Sequence, residues 1–242
     1  MNKQKAIIIP ARYASTRLEG KPLIEVQGKP IIQWVWEKAK SVKRADRVIV
    51  ATDDERILNK ALSFGAEAEM TDVNHKSGSD RIYEVAKRHE EFDIVVNLQG
   101  DEPMILPENI DLVIKLLEDN QNADISTLVR ELTDTKDIEN PNNVKCVFDK
   151  NGYALYFSRS KIPFERNEGK SKFYGHLGIY GYRRNSLKNM TEMDQTTLEM
   201  AESLEQLRAL QNGMKIITGL VNNSLIGIDT KEDLDAFKKA VN

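Results

Sequence analysis

"IIIPARYASTRLEGKPL", residues 7–23, opens as an apolar run and breaks at Pro10 into a loop carrying Arg12, Arg17 and Lys21. An apolar run that short reads as a strand buried on both faces, the kind found in parallel sheets. Three cations aimed out of its carboxyl end call for an anion. Outward from this point, "PIIQWVWEKAKSV" repeats apolar residues at helical spacing through Ile32, Val35, Trp36 and Ala39. "RVIVAT" then reads as a second strand. "DDERILNKALSFG" follows as a helix with Asp53 or Asp54 at its N-cap and Gly65 as its stop. The alternation continues with "SGSDRIYEVAKR" as helix, "DIVVNLQGD" as strand, "PENIDLVIKLLEDN" as helix with Pro107 in its first turn, and "ISTL" as strand. Strands alternating with helices give an α/β fold, a doubly wound and mainly parallel sheet with helices on its faces.

After about residue 142 the pattern changes. "VKCVFD", "YALYFSR" and "GHLGIYGYR" are strand-like runs separated by the turn "KNGY" and the charged loop "PFERNEGKSKF". They predict an antiparallel insertion or subdomain over about residues 143–190 within a single domain covering residues 1–242. "TLEMAESLEQLRALQNG" predicts one amphipathic helix with Leu198, Ala201, Leu204, Leu207 and Leu210 on one side. "KIITGLV" and "LIGIDT" read as closing strands, and "KEDLDAFKKAV" as a last helix.

The 242 residues suffice for one large α/β domain, and 40% hydrophobic with 30% charged residues is ordinary globular composition. No apolar run approaches the ~20 residues of a membrane span. The apolar segment near the start is too short for a signal-peptide core, so a cytoplasmic location is expected. Cys146 is the sole cysteine. It can form neither an internal disulfide nor a cysteine metal cluster, and it reads as a buried thiol in a reducing compartment. A net charge of −3 argues against a general nucleic-acid surface, so any anion is bound locally.

In open α/β sheets ligands bind beyond the carboxyl ends of the strands. Pro10 and Ala11 limit bulk there, the loop backbone offers N–H donors, and Arg12, Arg17 and Lys21 supply the charge a di- or triphosphate requires; a solvated basic loop is the plain alternative. "NLQGDEP", residues 97–103, puts Gln99 and Asp101 at another strand end, with Gly100 between them to let a ligand approach the backbone. Asp101 can hold a divalent metal through oxygen, or belong to a simple turn. "GIDTKEDL", residues 227–234, repeats the arrangement with Asp229, which equally reads as a helix cap beside Thr230. Ser77, Ser79 and Arg81 stand at a helix start suited to a base or phosphate, where capping by Ser79 or Asp80 is equally ordinary. Arg159, His176, Tyr180, Glu205, Gln206 and Arg208 are further polar candidates, with Arg159 able to clamp a carboxylate in bidentate fashion.

The motifs "IIPARYASTRLEGKPL", "VATDD", "SGSDRI", "VVNLQGDEPMI", "YALYFSRSKIPF", "HLGIYGYR", "LEQLRALQNG" and "GIDTKEDL", in this order from residue 7 to about 235, resemble the cytidylyltransferases that activate 3-deoxy-D-manno-octulosonate (Kdo), the CMP-Kdo synthetases. The resemblance implies a nucleotide-diphosphosugar-transferase type of fold, a homodimer with the insertion in its contact, Mg²⁺, and CTP and an acid sugar as substrates, with no nucleic-acid or membrane partner. By matching position, Pro10, Ala11, Arg12, Ser15, Lys21, Ser77, Arg81 and Gln99 are implied in nucleotide binding, with Arg12, Lys21, Asp101 and Asp229 in catalysis. Asp101 and Asp229 are implied as metal ligands, and Gln99, Arg159, His176, Tyr180, Glu205 and Gln206 as sugar contacts. Glu19 stands where many relatives carry proline, and the loop after "IPF" is short, somewhat as in relatives acting on the 8-amino analogue of Kdo. The cognate acid sugar is therefore open between Kdo, that analogue and similar sugars. A non-catalytic nucleotide-binding regulatory subunit is the alternative of a different class.

Overall fold

A computed structural model describes residues 3–14, 18–167, 169–222 and 227–241. The first half of the chain gives β1 (Gln4–Ala11), β2 (Glu25–Val26), β3 (Lys29–Pro30), α1 (Ile31–Lys40), β4 (Arg47–Thr52), α2 (Glu55–Ser63), β5 (Glu67–Met70), α3 (Gly78–Arg88), β6 (Phe92–Asn97) and α4 (Pro107–Asp119). The second half gives β7 (Ile125–Leu132), α5 (Thr135–Glu139), β8 (Lys145–Phe148), β9 (Ala154–Ser158), β10 (Phe173–Arg183), α6 (Arg184–Glu192), α7 (Thr197–Glu202), α8 (Gln206–Gln211), β11 (Ile216–Val221) and α9 (Lys231–Ala240).

The main sheet runs β11-β7-β10-β6-β1-β4-β5. β1 pairs in parallel with both β4 and β6, β4 with β5, and β7 with β11. Only β10 runs against its neighbours in that order, pairing antiparallel with β6 and with β7. The sheet is thus mostly parallel, as the alternation of elements predicts.

Side chains alternate across β1 into two cores. Ile7 and Ile9 join Val50 and Val96 under Ile32 and Val35 of α1 and Ile110 and Ile114 of α4. Ala6 and Ile8 join Ile49 and Val95 on the opposite face, under Ile82 and Val85 of α3 and Leu187 of α6. Each fully buried isoleucine stabilises the fold by about 2 kcal/mol, so the apolar run of β1 is the hinge of both cores.

Three expectations change. The region 143–190 is not one insertion: β10 belongs to the main sheet between β6 and β7, and only β8 and β9 lie off its path. Alternating buried and exposed residues could not distinguish these cases, because an antiparallel strand in the main sheet has the same period as one in a hairpin. Next, the single helix expected over 197–213 is two short helices with Ser203 between them in the left-handed region (φ 51°, ψ 50°). Ala201, expected on the apolar side, is exposed. The break lets buried Glu199 meet Arg208 at 2.6 Å, a contact between residues nine apart that a straight helix would hold apart. Finally, Gly227–Asp229 of "LIGIDT" form no strand; the amide of Ile228 docks instead on the carbonyl of Asp101 at 2.8 Å. Leu225 and Ile226 of that stretch lie outside the described residues.

Candidate active site

The chain moves from β1 outward to β4 and β5, then returns to β6 on the other side of β1. That reversal opens a crevice between the carboxyl ends of β1 and β6, the usual position for a ligand in an open α/β sheet. Pro10, Ala11 and Arg12 leave β1 on one side of it, and Gln99, Gly100 and Asp101 follow β6 on the other. The cavity there, of about 320 Å³, is lined by these residues together with Lys21, Ser77, Arg81 and Asp229.

Gly100 is required by the chain itself. A Cβ at this position would stand 2.9 Å from the carbonyl oxygen of Pro10, so the loop after β6 packs directly on the backbone of β1. The close approach foreseen for a ligand is made by the protein's own strand.

Lys21 begins a short 3-10 turn, Lys21–Leu23, after Gly20 in the left-handed region. Its Nζ donates to Asp101 Oδ2 at 2.5 Å, to the carbonyl of Ile228 at 2.7 Å and to Asp229 Oδ1 at 3.4 Å. The docking of Ile228 on Asp101 brings the second carboxylate to the first across more than a hundred residues of chain. Thr230, not Asp229, caps α9, in a reciprocal capping box with Asp233. Asp229, whose amide donates to Asp233 at 3.0 Å, lines the cavity.

The oxygens converging on Lys21 Nζ are two carboxylates and a carbonyl, hard donors suited to a cation. Among the described residues no three His, Cys, Asp or Glu side chains are grouped to hold a metal by themselves. A divalent ion at this set would therefore take its remaining oxygens from a ligand or water. Behind the pair lies Glu102, only 9% exposed, with Oε2 buried and unpartnered. Burial first, then repulsion from Asp101 and Asp229, pushes its carboxyl up to about 8. Glu102 does not cap α4, whose N-cap is Leu106.

The remaining nucleotide candidates divide. Arg12 is exposed and makes no ion pair among the described residues; Ser15 and Arg17 lie outside them. Arg81 lines the cavity, yet it is 4% exposed and its guanidinium is committed to Asp53 at 2.6 Å and to the hydroxyl of Thr71. Ser77 caps α3 in a capping box with Asp80 and lines the same cavity. Gln99 donates to Asn97 Oδ1 at 3.1 Å. His75 and Lys76 also line the cavity and were missed by the sequence reading; the only signal was their position immediately before Ser77.

A second cavity of about 690 Å³ shares Lys76 and Ser77 with the first and is lined on its far side by Ser203, Glu205 and Arg208. Glu205 accepts from the hydroxyl of Ser79 at 2.9 Å, and burial raises its carboxyl above the ordinary range. Gln206 is buried with its Nε2 unpartnered. Arg159, His176 and Tyr180 border neither cavity. The Arg159 guanidinium donates to three backbone carbonyls, those of Glu202, Pro141 and Ser203. His176 Nε2 lies 2.9 Å from Thr127 Oγ1, with the imidazole packed edge-on to Phe157 and tilted against Tyr180. Burial drives it down to about 3, so it stays neutral and is a weak base.

A family model described as cytidylyltransferase matches residues 6–216. The 3-deoxy-manno-octulosonate cytidylyltransferase of Thermodesulfovibrio yellowstonii is 52% identical over 97% of both chains. Its counterpart in Fusobacterium nucleatum is 50% identical over 94% of this chain and 93% of that one. Among solved structures, a CMP:2-keto-3-deoxy-manno-octonic acid synthetase complexed with CTP superposes with a TM-score of 0.96 at 41% identity, covering 99% of this chain and 98% of the other. A cytidylyltransferase from Leptospira borgpetersenii, at 20% identity and a TM-score of 0.66, shares the fold. With the crevice, the basic loop and the paired aspartates in the order the motifs predict, the chain belongs to the 3-deoxy-manno-octulosonate cytidylyltransferase family of nucleotidyltransferases.

Proposed function

We propose that this protein transfers the cytidylyl group of CTP to the anomeric hydroxyl of Kdo, giving CMP-Kdo and pyrophosphate. The observation that carries the reading is the meeting of Lys21, Asp101 and Asp229 at the crevice between β1 and β6. The hydroxyl oxygen attacks the α-phosphorus, the bond to the bridging oxygen of the leaving pyrophosphate breaks, and the hydroxyl proton passes to solvent. Arg12 and Lys21 offset the charge that builds on the leaving group. His176, which borders neither cavity and is held neutral by burial, is given no part in proton transfer.

Asp101 and Asp229 are the residues that would hold Mg²⁺, which supplies charge neutralisation and a more acidic nucleophile when bound. The donor chemistry fits, since Mg²⁺ favours one or two carboxylates with phosphate oxygens completing its shell. The acid sugar lies toward the second cavity, where Glu205 stands. A homodimer through the β8–β9 side is part of the same reading: β9 is an edge strand paired only with β8, and Leu155 and Phe164 nearby are 62% and 87% exposed. Among the described residues no helix is long and apolar enough to cross a membrane.

The test is Mg²⁺-dependent pyrophosphate release from CTP with Kdo, 8-amino-Kdo, N-acetylneuraminate or no sugar. Release with Kdo alone or in preference supports the reading. Release only with the 8-amino sugar moves the substrate to that analogue, and CTP binding without release in any arm favours a regulatory subunit.

A further inference from the structure

α7 ends at Glu202, Ser203 turns the chain in the left-handed region, and α8 starts at Gln206. A serine rarely adopts that conformation unless its surroundings impose it. Here they do. Arg159 Nε donates to the carbonyl of Glu202 at 2.7 Å and Nη2 to that of Ser203 at 3.4 Å, satisfying carbonyls orphaned at the end of α7. In return the Glu202 carboxylate accepts from the backbone amide of Arg159 at 2.9 Å and from the hydroxyl of Ser158 at 2.6 Å. The end of β9 and the helix break therefore hold each other in both directions. Behind them the fully buried Lys145 fixes the strand side, its Nζ donating to the carbonyl of Arg159 at 2.6 Å.

What the break delivers are Glu205, on the wall of the second cavity and bonded to Ser79, and Gln206, buried with an unpartnered amide donor. Glu205 follows Glu202 by three positions, across the Ser203 turn, so a shift at the first is passed to the second through that short break. We propose that Glu202 is a positioning residue of the acid-sugar subsite, setting the stance of Glu205 and Gln206 without touching substrate. This rests on the reading that those two residues face the sugar.

The test uses the full chain. KM is measured separately for Kdo and for CTP, together with hydrogen–deuterium exchange over residues 203–207. Glu202→Gln keeps the volume but removes the charge and one of the two acceptor oxygens, so the side chain can no longer accept from both the Arg159 amide and the Ser158 hydroxyl. It should raise the KM for Kdo about tenfold, hold that for CTP within about twofold, and speed exchange over 203–207. Ser158→Ala, which removes one hydroxyl from the same clasp, should move both readouts in the same direction by less, and Glu202→Asp should restore part of the loss. An unchanged KM for Kdo, a parallel rise for CTP, or unchanged exchange overturns the proposal. If the wild type binds CTP yet is silent with Kdo, the substrate reading fails, and the exchange measurement alone then decides whether Glu202 sets the stance of the break.

Discussion

Lys21 Nζ and Asp101 Oδ2, 80 residues apart in sequence, stand 2.5 Å apart, and the same ammonium reaches Asp229 and the carbonyl of Ile228. One cation thus joins the basic loop after β1, the loop after β6 and the segment before α9. The Lys21 side chain is largely buried, so this contact is screened less than a surface pair. Removing Lys21 would leave two carboxylates facing each other without the ammonium they share.

Lys21→Ala should therefore lower turnover by about a hundredfold or more while strengthening binding of Mn²⁺ to the protein in the absence of nucleotide. Mn²⁺ titration followed by electron paramagnetic resonance, beside pyrophosphate-release kinetics, checks both. Metal affinity that stays flat in the variant would argue against Asp101 and Asp229 as a cation site.

Asp101→Asn retains size and hydrogen bonding but removes the charge. Turnover should fall by orders of magnitude with the unfolding midpoint little changed, because the backbone carbonyl that docks Ile228 is untouched. Near-normal turnover at saturating Mg²⁺ would rule out the metal role.

Gly100→Ala tests the packing of the β6 loop on β1. The added methyl meets a backbone carbonyl at 2.9 Å, and neither strand can retreat without disturbing a fully buried core. Destabilisation of about 1–3 kcal/mol is expected in denaturant unfolding, with loss of CTP binding because Pro10 and Asp101 both line the cavity.

The strands and helices that shape the crevice were legible because each is a local pattern: the isoleucines of β1, the helical spacing in α1 and α4, the Asp54 cap of α2; the cap of α3 fell to Ser77 and not to Ser79 or Asp80. Asp101 was legible as a residue beyond a strand end, whereas Asp229 was read at the end of a strand that Gly227–Asp229 do not form. What the sequence hid was long-range. That Ile228 docks on Asp101 rather than continuing a strand depends on a hydrogen bond between segments more than a hundred residues apart. The break at Ser203 depends on Arg159 and on the Glu199–Arg208 pair, while the local leucine spacing favours one helix. β10 entered the main sheet for the same reason: pairing partners are not written into a strand's own residues.

His176 gives stability a pH dependence whose direction follows from burial. Its folded-state value of about 3 lies below the ordinary 6.5, so between the two the unfolded chain binds the additional proton. The contribution is fully present above pH 6.5 and is lost as the pH falls toward 3, at up to about 1.4 kcal/mol per pH unit. His176→Gln should be less stable at neutral pH, with a shallower decline below pH 6.5. Denaturant titrations of both proteins at several pH values, compared as differences, isolate this group; parallel declines would contradict its burial as a neutral imidazole.

Glu199 and Arg208 form the ion pair on which the α7–α8 bend closes. Arg208 donates to both carboxylate oxygens of Glu199, at 2.8 Å from Nε and 2.6 Å from Nη2, and its Nη1 reaches the carbonyls of Met190 and Met193. Their side chains are 6% and 11% exposed, so deleting one partner strands the other away from water. Glu199→Ala should cost about 3–5 kcal/mol, because a guanidinium is left without its counter-charge and the capping box at Thr196 is lost with it. Replacing both by apolar residues of similar volume should recover most of that loss, since the desolvation cost of the pair then disappears. A double-mutant cycle in urea decides the matter: additive single losses would mean the two side chains are independent, and the bend would need another cause.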